Sequence, residues 1–290
     1  MKFPFQNVAL IGKHKAPEIA EPLLRLAGFL SSRGLNVVVD SLTAEQIASC
    51  PYPAMNLNEM AHAMDLAIVI GGDGTMLNIA RTLSPHQVPL VGVNLGRLGF
   101  LTDLTLENMQ DSMAAMLDGK FVTEQRLLLS ARVLRGDVEV FSGLAFNEVA
   151  VHRNHASSMV EFEVRIDGEY LYNQRADGLI VATPTGSTAY AMSAGGPILH
   201  PSLDVLELVP VCPHTLSNRP IVVKSSSVLE ILMHRTGDIR VRYDSHSYYD
   251  LELHDKIVVT RHPEPACLLH PEGHSYYHTL REKLLWNQML

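Results

Sequence analysis

Apolar runs of strand length alternate with amphipathic stretches along the first part of the chain. The runs are residues 8–11, 37–39, 66–70 and 90–93. Between the first two, Ile19, Leu23, Leu26 and Leu30 recur at helical spacing and predict a helix over residues 17–30, with Gly34 as a stop after it. Strands that alternate with helices predict a largely parallel sheet with helices on its faces. We therefore expect an N-terminal Rossmann-like α/β domain.

From about residue 121 the pattern changes to short strands separated by turns. Residues 160–166 alternate apolar and polar side chains, Asp167-Gly168 has the composition of a hairpin turn, and residues 170–172 resume the strand. Further short runs lie at residues 221–223, 228–233, 239–243 and 256–260. We expect a C-terminal all-β domain, a β-sandwich.

The change of pattern sets the expected domain boundaries. A nucleotide-binding α/β domain would cover residues 1–120, and an all-β domain would cover residues 121–267. The tail of about residues 268–290 would pack back on the first domain. Within this tail, residues 279–290 have an amphipathic helical pattern with Leu280, Leu284 and Leu285 on one face.

Composition narrows the class of protein. The 290 residues exceed what one hydrophobic core usually organises and leave room for two domains. The formal net charge of −8 argues against a nucleic-acid partner, which normally selects a basic surface. No apolar stretch reaches membrane-spanning length, and the N-terminus lacks the pattern of a signal peptide. We expect neither a nucleic acid nor a membrane as partner.

Cysteine and histidine usage indicates a reducing compartment and no zinc site. Cys50, Cys212 and Cys267 are scattered without metal-ligand spacing. The 14 histidines do not form a zinc signature either. We expect a cytoplasmic protein with reduced thiols.

The turn Gly71-Gly72-Asp73-Gly74-Thr75 joins the run of residues 66–70 to a stretch with helical apolar spacing. Such junctions bind phosphates, because glycines permit positive φ and close approach while free helical N–H groups attract anions. The turn has neither the Lys-Ser/Thr ending of a Walker A sequence nor the G-x-G-x-x-G spacing. The Asp73 carboxylate would repel phosphate unless a metal or a hydroxyl proton stood between them. The local sequence alone is compatible with two interpretations, an ordinary turn and a functional loop.

Two further segments place unusual residues at apolar strands. A second glycine loop, residues 92–101, follows the next buried run and would lie at the same sheet edge as the first. A glycine-punctuated turn is its alternative. Asn147-Glu148 interrupts the apolar segment 144–151, and a buried glutamate needs a hydrogen-bond partner such as vicinal ribose hydroxyls. The alternative there is a strand end at the surface.

The longest unusual segment runs from Arg175 to Pro197. It passes from a charged strand edge at Asp177 into residues 183–196, which are dense in hydroxyl-bearing and small residues. Hydroxyl donors and close backbone approach suit the sugar, phosphate or base of a nucleotide. A turn-rich connection is the alternative.

In their order along the chain, these motifs resemble those of bacterial NAD kinases, the ATP-NAD kinase family. The resemblance rests on Gly71 to Thr75, Asn147-Glu148, Asp177-Gly178 and the segment from Thr183 to Gly196. It covers nearly the whole chain, and the segment from Cys212 to Pro220 fits it too. The first motif alone is shared with diacylglycerol and sphingosine kinases and with phosphofructokinases. Its pairing with the later motifs distinguishes the family.

The resemblance implies transfer of the ATP γ-phosphoryl group to the 2′-hydroxyl of the adenosine ribose of NAD, with a divalent metal such as Mg²⁺. Asp73 would be the catalytic residue facing that hydroxyl, and Asn147 with Glu148 would hold the ribose region. The implied phosphate loop is Gly71, Gly72, Gly74 and Thr75. The implied NAD-binding residues are Gly74, Phe100, Asn147, Glu148, Arg175, Asp177, Thr188, Ala189, Tyr190 and Ser193. For Arg175, a surface salt bridge is an equal alternative to dinucleotide recognition.

The resemblance also implies self-association, because in this family part of the site is completed by a neighbouring subunit. A homodimer or a homotetramer is therefore expected. The chain departs from the family at Asp244-Ser245-His246, where members often show Asp-Gly-Gln, and this puts a nucleotide contact from that loop in doubt. Two other functions stay open, a lipid kinase of the diacylglycerol type and a non-catalytic NAD(P)-binding sensor.

Overall fold

The computed structural model describes residues 5–96, 98–153, 159–234 and 238–286. The chain divides into two compact units. The α/β unit consists of Met1–Gln125 and Ala266–Leu290, and the all-β unit consists of Arg126–Pro265. An α/β unit and an all-β unit confirm the predicted fold class.

The first part of the α/β unit follows the predicted alternation. Its strands are β1 (Asn7–Gly12), β2 (Asn36–Asp40), β3 (Ala54–Met55), β4 (Leu66–Gly71), β5 (Leu90–Asn94), β6 (Leu104–Thr105) and β7 (Phe121–Arg126). Its α-helices are α1 (Ala20–Ser32), α2 (Ser41–Ala44), α3 (Leu57–Ala63), α4 (Asp73–Leu83) and α5 (Met109–Leu117). Short 3₁₀ turns lie at Pro17–Ile19 and Ser84–His86. The helix predicted over residues 17–30 is therefore a 3₁₀ turn that continues into α1.

The all-β unit is built from short strands, as predicted. They are β8 (Leu129–Arg135), β9 (Val138–Ala145), β10 (Glu148–Arg153), β11 (Val160–Ile166), β12 (Glu169–Ala176), β13 (Gly178–Ala182), β14 (Val205–Val211), β15 (Ile221–Lys224), β16 (Leu229–Met233), β17 (Ile239–Tyr243), β18 (Ser247–Asp250) and β19 (Asp255–Arg261). A 3₁₀ turn, Gly186–Thr188, and helix α6 (Tyr190–Ser193) follow β13.

These strands form a β-sandwich. Within the described residues, one sheet has the order β15-β14-β13-β10-β17-β18 and the other has the order β12-β11-β16-β19-β8-β9. Alternate side chains of both sheets, such as Val149, Phe162 and Ile231, are fully buried in one core. Burying one such side chain contributes roughly 1.5–3 kcal/mol. The predicted alternation over residues 160–166 thus reflects one face in this core and one face outside it.

After the sandwich the chain adds β20 (Ala266–Pro271) and α7 (Tyr276–Lys283) to the α/β unit. The sheet of that unit has the order β3-β2-β1-β4-β5-β20-β7, and β6 also pairs with β5. Strand β1 pairs in parallel with both β2 and β4, so the strand order reverses direction there. In open α/β sheets, ligands bind beyond the carboxyl ends of the strands at such a reversal. Strand β4 ends there at Gly71.

Helix α7 is shorter than its sequence pattern indicates. Leu280 is 5% exposed, whereas Leu285 is 58% exposed and has a φ of 57°. The predicted common face is wrong for Leu285, because the helix ends at Lys283 and the chain turns. Residues 287–290, the last part of that predicted helix, lie outside the described residues.

Across the described residues, no helix combines the length and the apolar character that crossing a bilayer requires.

Candidate active site

The first glycine loop connects β4 to α4 in the α/β unit. Strand β4 ends at Gly71, Gly72 precedes the helix, and Asp73 is the first residue of α4. The free N–H groups at this helix start attract an anion. A Cβ atom at Gly72 or Gly74 would meet no heavy atom within 4 Å, so the backbone at both positions is open to a ligand.

The glycines of this loop do not adopt the left-handed backbone that the sequence suggested. Gly72 has a φ of −106° and a ψ of −176°, and neither Gly71 nor Gly74 has a positive φ. At Gly71 the reason is space, because a Cβ atom there would lie 2.7 Å from Oγ1 of Thr75. The prediction of positive φ was wrong for these glycines, and close packing against Thr75 explains the glycine at position 71.

The carboxylate of Asp73 is held by the second glycine loop. The N–H of Phe100 donates to Oδ2 at 2.9 Å, and the N–H of Leu101 donates to Oδ1 at 3.0 Å. The hydroxyl of Thr102 donates to Oδ1 at 3.4 Å. A carboxylate accepts about four hydrogen bonds, so these donors leave about one position for another hydroxyl. The carboxylate of Asp73, which is unusual in a phosphate loop, is therefore fixed in position and can still accept one further hydrogen bond.

Sheet register explains why the two loops meet. Strands β4 and β5 are parallel neighbours with Gly71 opposite Asn94, so both loops leave the same sheet edge. The side chain of Asn94 donates to the Thr102 hydroxyl at 2.9 Å. A Cβ atom at Gly99 would overlap Oδ1 of Asp73 and Oγ1 of Thr102. The predicted position of both loops at one sheet edge is confirmed, and the glycine at position 99 permits their close contact.

The side chain of Phe100 packs on the tail of the same unit. Its ring centroid lies 6.5 Å from that of Tyr276, and Nζ of Lys283 lies 5.7 Å from it. Both partners belong to α7. The backbone N–H of Phe100 thus donates to Asp73, while its ring packs on α7. A contact of this ring with adenine stays a prediction.

In the all-β unit, a distant carboxylate fixes the start of β10. Oδ1 of Asp244 accepts from the N–H groups of Asn147 at 2.8 Å and Glu148 at 3.2 Å, and Oδ2 accepts from that of Phe146 at 3.1 Å. Asp244 has a φ of 50° in the turn between β17 and β18, a conformation that aspartate tolerates better than most residues. The loop where the chain departs from the family pattern thus supports Asn147 and Glu148.

Glu148 is a buried acid beside a pocket. Its side chain is 9% exposed, and Oε2 has no hydrogen-bond partner. Burial first, and the charge of Asp244 second, raise the pKa of Glu148 to about 8. At neutral pH the carboxyl is therefore protonated and can both donate and accept a hydrogen bond. The alternative of a strand end at the surface was wrong for Glu148.

The pocket has a volume of about 320 Å³ and lies on the outer face of the sheet that contains β10. Its lining residues are Glu148, Ala150, His152, Tyr190, Arg242, Asp244 and Ser245. Acidic, basic, phenolic and imidazole groups therefore face one space, as in sites that orient a polar ligand.

The hydroxyl-rich segment after β13 uses many of its donors internally. The Thr183 hydroxyl donates to the carbonyl of Phe146 at 2.7 Å, and the Ser187 hydroxyl donates to that of Pro184 at 2.6 Å. A Cβ atom at Gly186 would overlap the carbonyl of Asn147. The prediction that these hydroxyls face a nucleotide was wrong for Thr183 and Ser187, because Thr183 anchors the segment to Phe146, just before β10, and Ser187 bonds within the segment.

Tyr190 lies where this segment meets the pocket. Burial first, and then the charges of Cys212, Glu148 and Asp177, raise its pKa above the usual range. Glu148 and Tyr190 line the same pocket, and the charge of Asp177 acts on Tyr190 from nearby. Asp177 also forms an ion pair with Arg153, with 3.1 Å between Nη2 and Oδ2.

Three other predicted residues surround the short helix α6. Ala189 directly precedes this helix, and Thr188 ends the 3₁₀ turn before it. Ser193 is the last residue of the helix, and its side chain is exposed. The Thr188 hydroxyl donates to the carbonyl of Thr185 at 3.2 Å, and its oxygen can still accept. Their closeness in sequence to Tyr190 keeps them candidates for ligand contact.

Arg175 lies away from the pocket. It faces Glu161 across the pair β11–β12, and Nε of Arg175 is 3.8 Å from Oε2 of Glu161. The next residue, Ala176, points into the sandwich core, so Arg175 lies on the outer face of its sheet. Glu148 lies on the outer face of the other sheet. The structure therefore does not bring these two residues together, and the observed contact of Arg175 is a surface ion pair.

Sequence patterns did not indicate Arg242 and His152 as pocket residues. Arg242 pairs with Ala150 across β17 and β10, while its neighbours Val241 and Tyr243 are buried in the core. Burial lowers the pKa of His152 below its usual value. The available signal was the alternation along β17, which places Arg242 on the outer face directly before the Asp244 turn.

Comparison with known proteins assigns most of the chain to one family. The model of the ATP-NAD kinase N-terminal domain matches residues 8–121, and that of the ATP-NAD kinase C-terminal domain matches residues 146–270. An NAD kinase of Nitrosospira multiformis is 60% identical over 287 residues, which are 99% of this chain and 98% of that protein. An NAD kinase of Thiobacillus denitrificans is 48% identical over 290 residues, 100% of both chains.

Solved structures agree with the sequence relatives. Yeast NADH kinase complexed with NADH has a TM-score of 0.90 at 26% identity, and the match covers 99% of this chain and 89% of that one. An NAD kinase from Archaeoglobus fulgidus in complex with ATP has a TM-score of 0.74 at 26% identity, with coverage of 97% and 98%. The similarity therefore extends over both units.

Proposed function

The chain belongs to the ATP-NAD kinase family, and from that premise we propose how its residues divide the reaction between them. The activity is that of an NAD kinase, which transfers the γ-phosphoryl group of ATP to the 2′-hydroxyl of the adenosine ribose of NAD and yields NADP and ADP. Phosphoryl transfer passes through a loose transition state, so positioning and charge stabilisation supply most of the rate.

Asp73 is the residue that addresses the acceptor hydroxyl. The observation that carries this assignment is the carboxylate held by Phe100, Leu101 and Thr102 with about one acceptor position left. A hydroxyl that donates to this position is oriented before the phosphoryl group arrives. Because a carboxylate is a weak base toward an alcohol, its larger contribution is orientation, and proton acceptance accompanies transfer.

The phosphates of ATP belong at Gly71, Gly72, Gly74 and Thr75. This assignment is supported by the start of α4 and by the open backbone at Gly72 and Gly74. A negative phosphate chain near Asp73 requires a counter-charge, which a divalent ion such as Mg²⁺ supplies when bound.

The residues around Asp73 fit Mg²⁺ only as a partner of the nucleotide. Within the described residues, the one cluster of three metal-ligating side chains is Asp103, His270 and His274, and it does not include Asp73. Mg²⁺ commonly binds through one or two carboxylates plus substrate phosphates and keeps several waters. The loop therefore suits a metal carried by the phosphates of ATP, while the remaining acceptor position of Asp73 stays with the acceptor hydroxyl.

The pocket at Glu148 is assigned to the dinucleotide. A protonated, buried carboxyl with an unpartnered Oε2 is matched by vicinal ribose hydroxyls, which supply both a donor and an acceptor. Tyr190 offers an aromatic face, and Arg242 adds a positive charge suited to a pyrophosphate. Asn147, Asp177, Thr188, Ala189 and Ser193 complete the assignment as neighbours of these groups.

Self-association and cellular location stay predictions of the family resemblance and the composition. A homodimer or homotetramer would let a neighbouring subunit contribute to the NAD site. Cys50, Cys212 and Cys267 are free thiols, which suits the expected cytoplasmic location. Size-exclusion chromatography with light scattering measures the assembly directly.

One assay tests the assigned activity. The purified chain is incubated with ATP, Mg²⁺ and NAD, and NADP is measured with an NADP-specific dehydrogenase. We expect NADP to form and to depend on both ATP and Mg²⁺. A non-catalytic sensor would bind NAD without forming NADP, and a diacylglycerol-type kinase would phosphorylate a lipid acceptor instead. Either result would overturn the assignment.

A further inference from the structure

A short basic segment lies at the carboxyl end of β1. Lys13, His14 and Lys15 directly follow Gly12, the last residue of that strand, and their side chains are exposed. Within the residues that the structure describes, none of these side chains forms an ion pair or a hydrogen bond. On a chain with a formal net charge of −8, two lysines without an acidic partner create a local positive potential.

Sheet register places this segment beside the loop assigned to the phosphates of ATP. Strands β1 and β4 are parallel neighbours, with Gly12 opposite Ile70. The N–H of Lys13 donates to the carbonyl of Ile70 at 2.9 Å, so the ladder continues one residue beyond β1. Lys13 therefore lies opposite Gly71, the first residue of the phosphate loop. The loops that leave these two strands flank the place where open α/β sheets bind ligands.

The direction of the Lys13 side chain follows from the same register. Residues opposite each other in parallel strands point to one face of the sheet, and a Cβ atom at Gly71 would lie 2.7 Å from Oγ1 of Thr75, in the first turn of α4. A Cβ atom at Gly12 would instead meet Ile19, which belongs to the core with α1. Because side chains alternate along a strand, Lys13 leaves the sheet on the face that carries α4.

The ammonium group of Lys13 therefore reaches the start of α4. Neighbouring strands lie about 4.8 Å apart, a distance that the flexible stem of lysine spans. An ammonium group is a compact positive charge with three donors, which suits phosphate oxygens. The backbone N–H groups at the start of α4 face the same space. A phosphate chain there would have donors from α4 on one side and a positive charge from the β1 segment on the other.

The basic segment is also fixed at both of its ends. The N–H of Lys13 is held by Ile70, and the N–H of Ala16 donates to Oε1 of Gln46 at 3.0 Å. Between them, Lys15 turns the chain with a φ of 54°. A segment that is already fixed loses little conformational entropy when a ligand binds.

We propose that Lys13 binds the phosphates of ATP and supplies part of the counter-charge that Asp73 makes necessary. This inference rests on the proposed function, because it takes the first glycine loop as the ATP phosphate site. His14 and Lys15 lie too far along the turn for the register argument to apply to them, and they contribute only to the local potential.

Steady-state kinetics of Lys13→Gln test the proposal. The full chain is assayed for NADP formation with Mg²⁺ while ATP or NAD is varied. Loss of a charge-assisted contact should raise the KM for ATP at least about tenfold, while the KM for NAD stays within about twofold. Lys13→Arg keeps the positive charge and should stay within about threefold of the wild type for ATP. Lys120→Gln, at an exposed lysine of the same unit outside both glycine loops, is the matched control and should have wild-type kinetics.

The outcomes separate this inference from the proposed function. No NADP formation by the wild type would overturn both. NADP formation by the wild type with an unchanged KM for ATP in Lys13→Gln would overturn only the role of Lys13. The same holds if Lys13→Arg is impaired as strongly as Lys13→Gln, or if the KM values for ATP and NAD rise equally, since either result would make Lys13 a structural residue. Circular dichroism of each variant confirms that it is folded.

Discussion

Two carboxylic acids, one in each unit, have opposite surroundings. Asp73 of the α/β unit receives two backbone N–H groups and one hydroxyl from the second glycine loop. Glu148 of the all-β unit is buried, and its Oε2 has no partner. The first is a carboxylate fixed by donors, and the second is an acid kept neutral by its surroundings.

The difference arises from the neighbouring backbone. The N–H groups of Phe100 and Leu101 point at Asp73, whereas the N–H groups of residues 146–148 are taken by Asp244 and not by Glu148. Glu148 is left with desolvation and a like charge, which both favour its protonated form. A fixed acceptor suits one hydroxyl that must react, and a neutral acid suits hydroxyls that must only be held.

Asp73→Asn breaks the comparison at the fixed carboxylate and has the largest expected effect. Without the charged acceptor, the hydroxyl of NAD loses its orientation and its proton acceptor. We expect kcat to fall about 10³-fold, within the range for groups in proton transfer, while the Kd for NAD changes less than about threefold. NADP formation and isothermal titration calorimetry measure the two quantities.

The matched control for Asp73 is Asp111→Asn, an exposed carboxylate on α5, which should retain wild-type turnover. Loss of NAD binding by Asp73→Asn with unchanged turnover per bound NAD would contradict the role of Asp73. It would make this carboxylate a binding group, as Glu148 is proposed to be.

Glu148→Gln tests whether Glu148, unlike Asp73, is protonated in the folded chain, through the pH dependence of stability. The pKa of Glu148 is about 8 in the folded chain against an ordinary value of 4.5. Between pH 4.5 and about pH 8, the carboxyl of Glu148 is deprotonated in the unfolded chain and stays protonated in the folded chain. The free energy of unfolding of the wild type should therefore fall as pH rises. Relative to Glu148→Gln, we expect a loss on the order of 3 kcal/mol between about pH 5 and pH 8.

Urea unfolding monitored by circular dichroism measures this pH dependence. Glu161→Gln, at a half-exposed glutamate of β11, is the control and should follow the wild type. If Glu148→Gln has the same pH dependence as the wild type, the carboxyl is ionised in the folded chain. The contrast with Asp73 would then be lost.

Gly99→Ala displaces the carboxylate of Asp73 without changing its chemical identity. The added methyl group would overlap Oδ1 of Asp73 and Oγ1 of Thr102, so the carboxylate must move. A displacement of about 1 Å at a reacting group costs up to 10²-fold, and we expect kcat to fall about 30-fold. Gly96→Ala lies in the same loop with open space around the new methyl group and should have little effect. Equal kcat for the two variants would show that the position of Asp73 is not critical.

Local patterns predicted most of the fold, while long-range contacts decided the site. The apolar run of residues 66–70 and the alternation of residues 160–166 became β4 and β11, because burial on two faces or on one face leaves a direct mark on the sequence. The role of Asp244 leaves no such mark. Its hydrogen bonds reach back 96 to 98 residues, to a strand that only the sandwich places beside it.

The same limit explains the errors in the predicted site. The hydroxyls of Thr183 and Ser187 have the composition of ligand donors, but whether a hydroxyl faces a ligand or a nearby carbonyl depends on how the chain folds around it. Arg242 was overlooked because one arginine in an alternating strand is typical of a solvent-facing position. It becomes a pocket residue only through its pairing with β10.

Arg175→Gln tests whether a residue far from both carboxylic acids contributes to NAD recognition, and it has the smallest expected effect. Arg175 is 51% exposed, pairs with Glu161 and lies on the opposite outer face of the sandwich from Glu148. An exposed ion pair contributes about 0–1 kcal/mol, so stability should change by less than about 0.5 kcal/mol and the ratio of kcat/KM for NAD and NADH by less than about twofold. Glu161→Gln breaks the same ion pair from its other side and should match both results. A larger change in cofactor preference for Arg175→Gln alone would place Arg175 at a dinucleotide bound through another subunit, and the NAD site could then not be assigned to the Glu148 pocket of one chain.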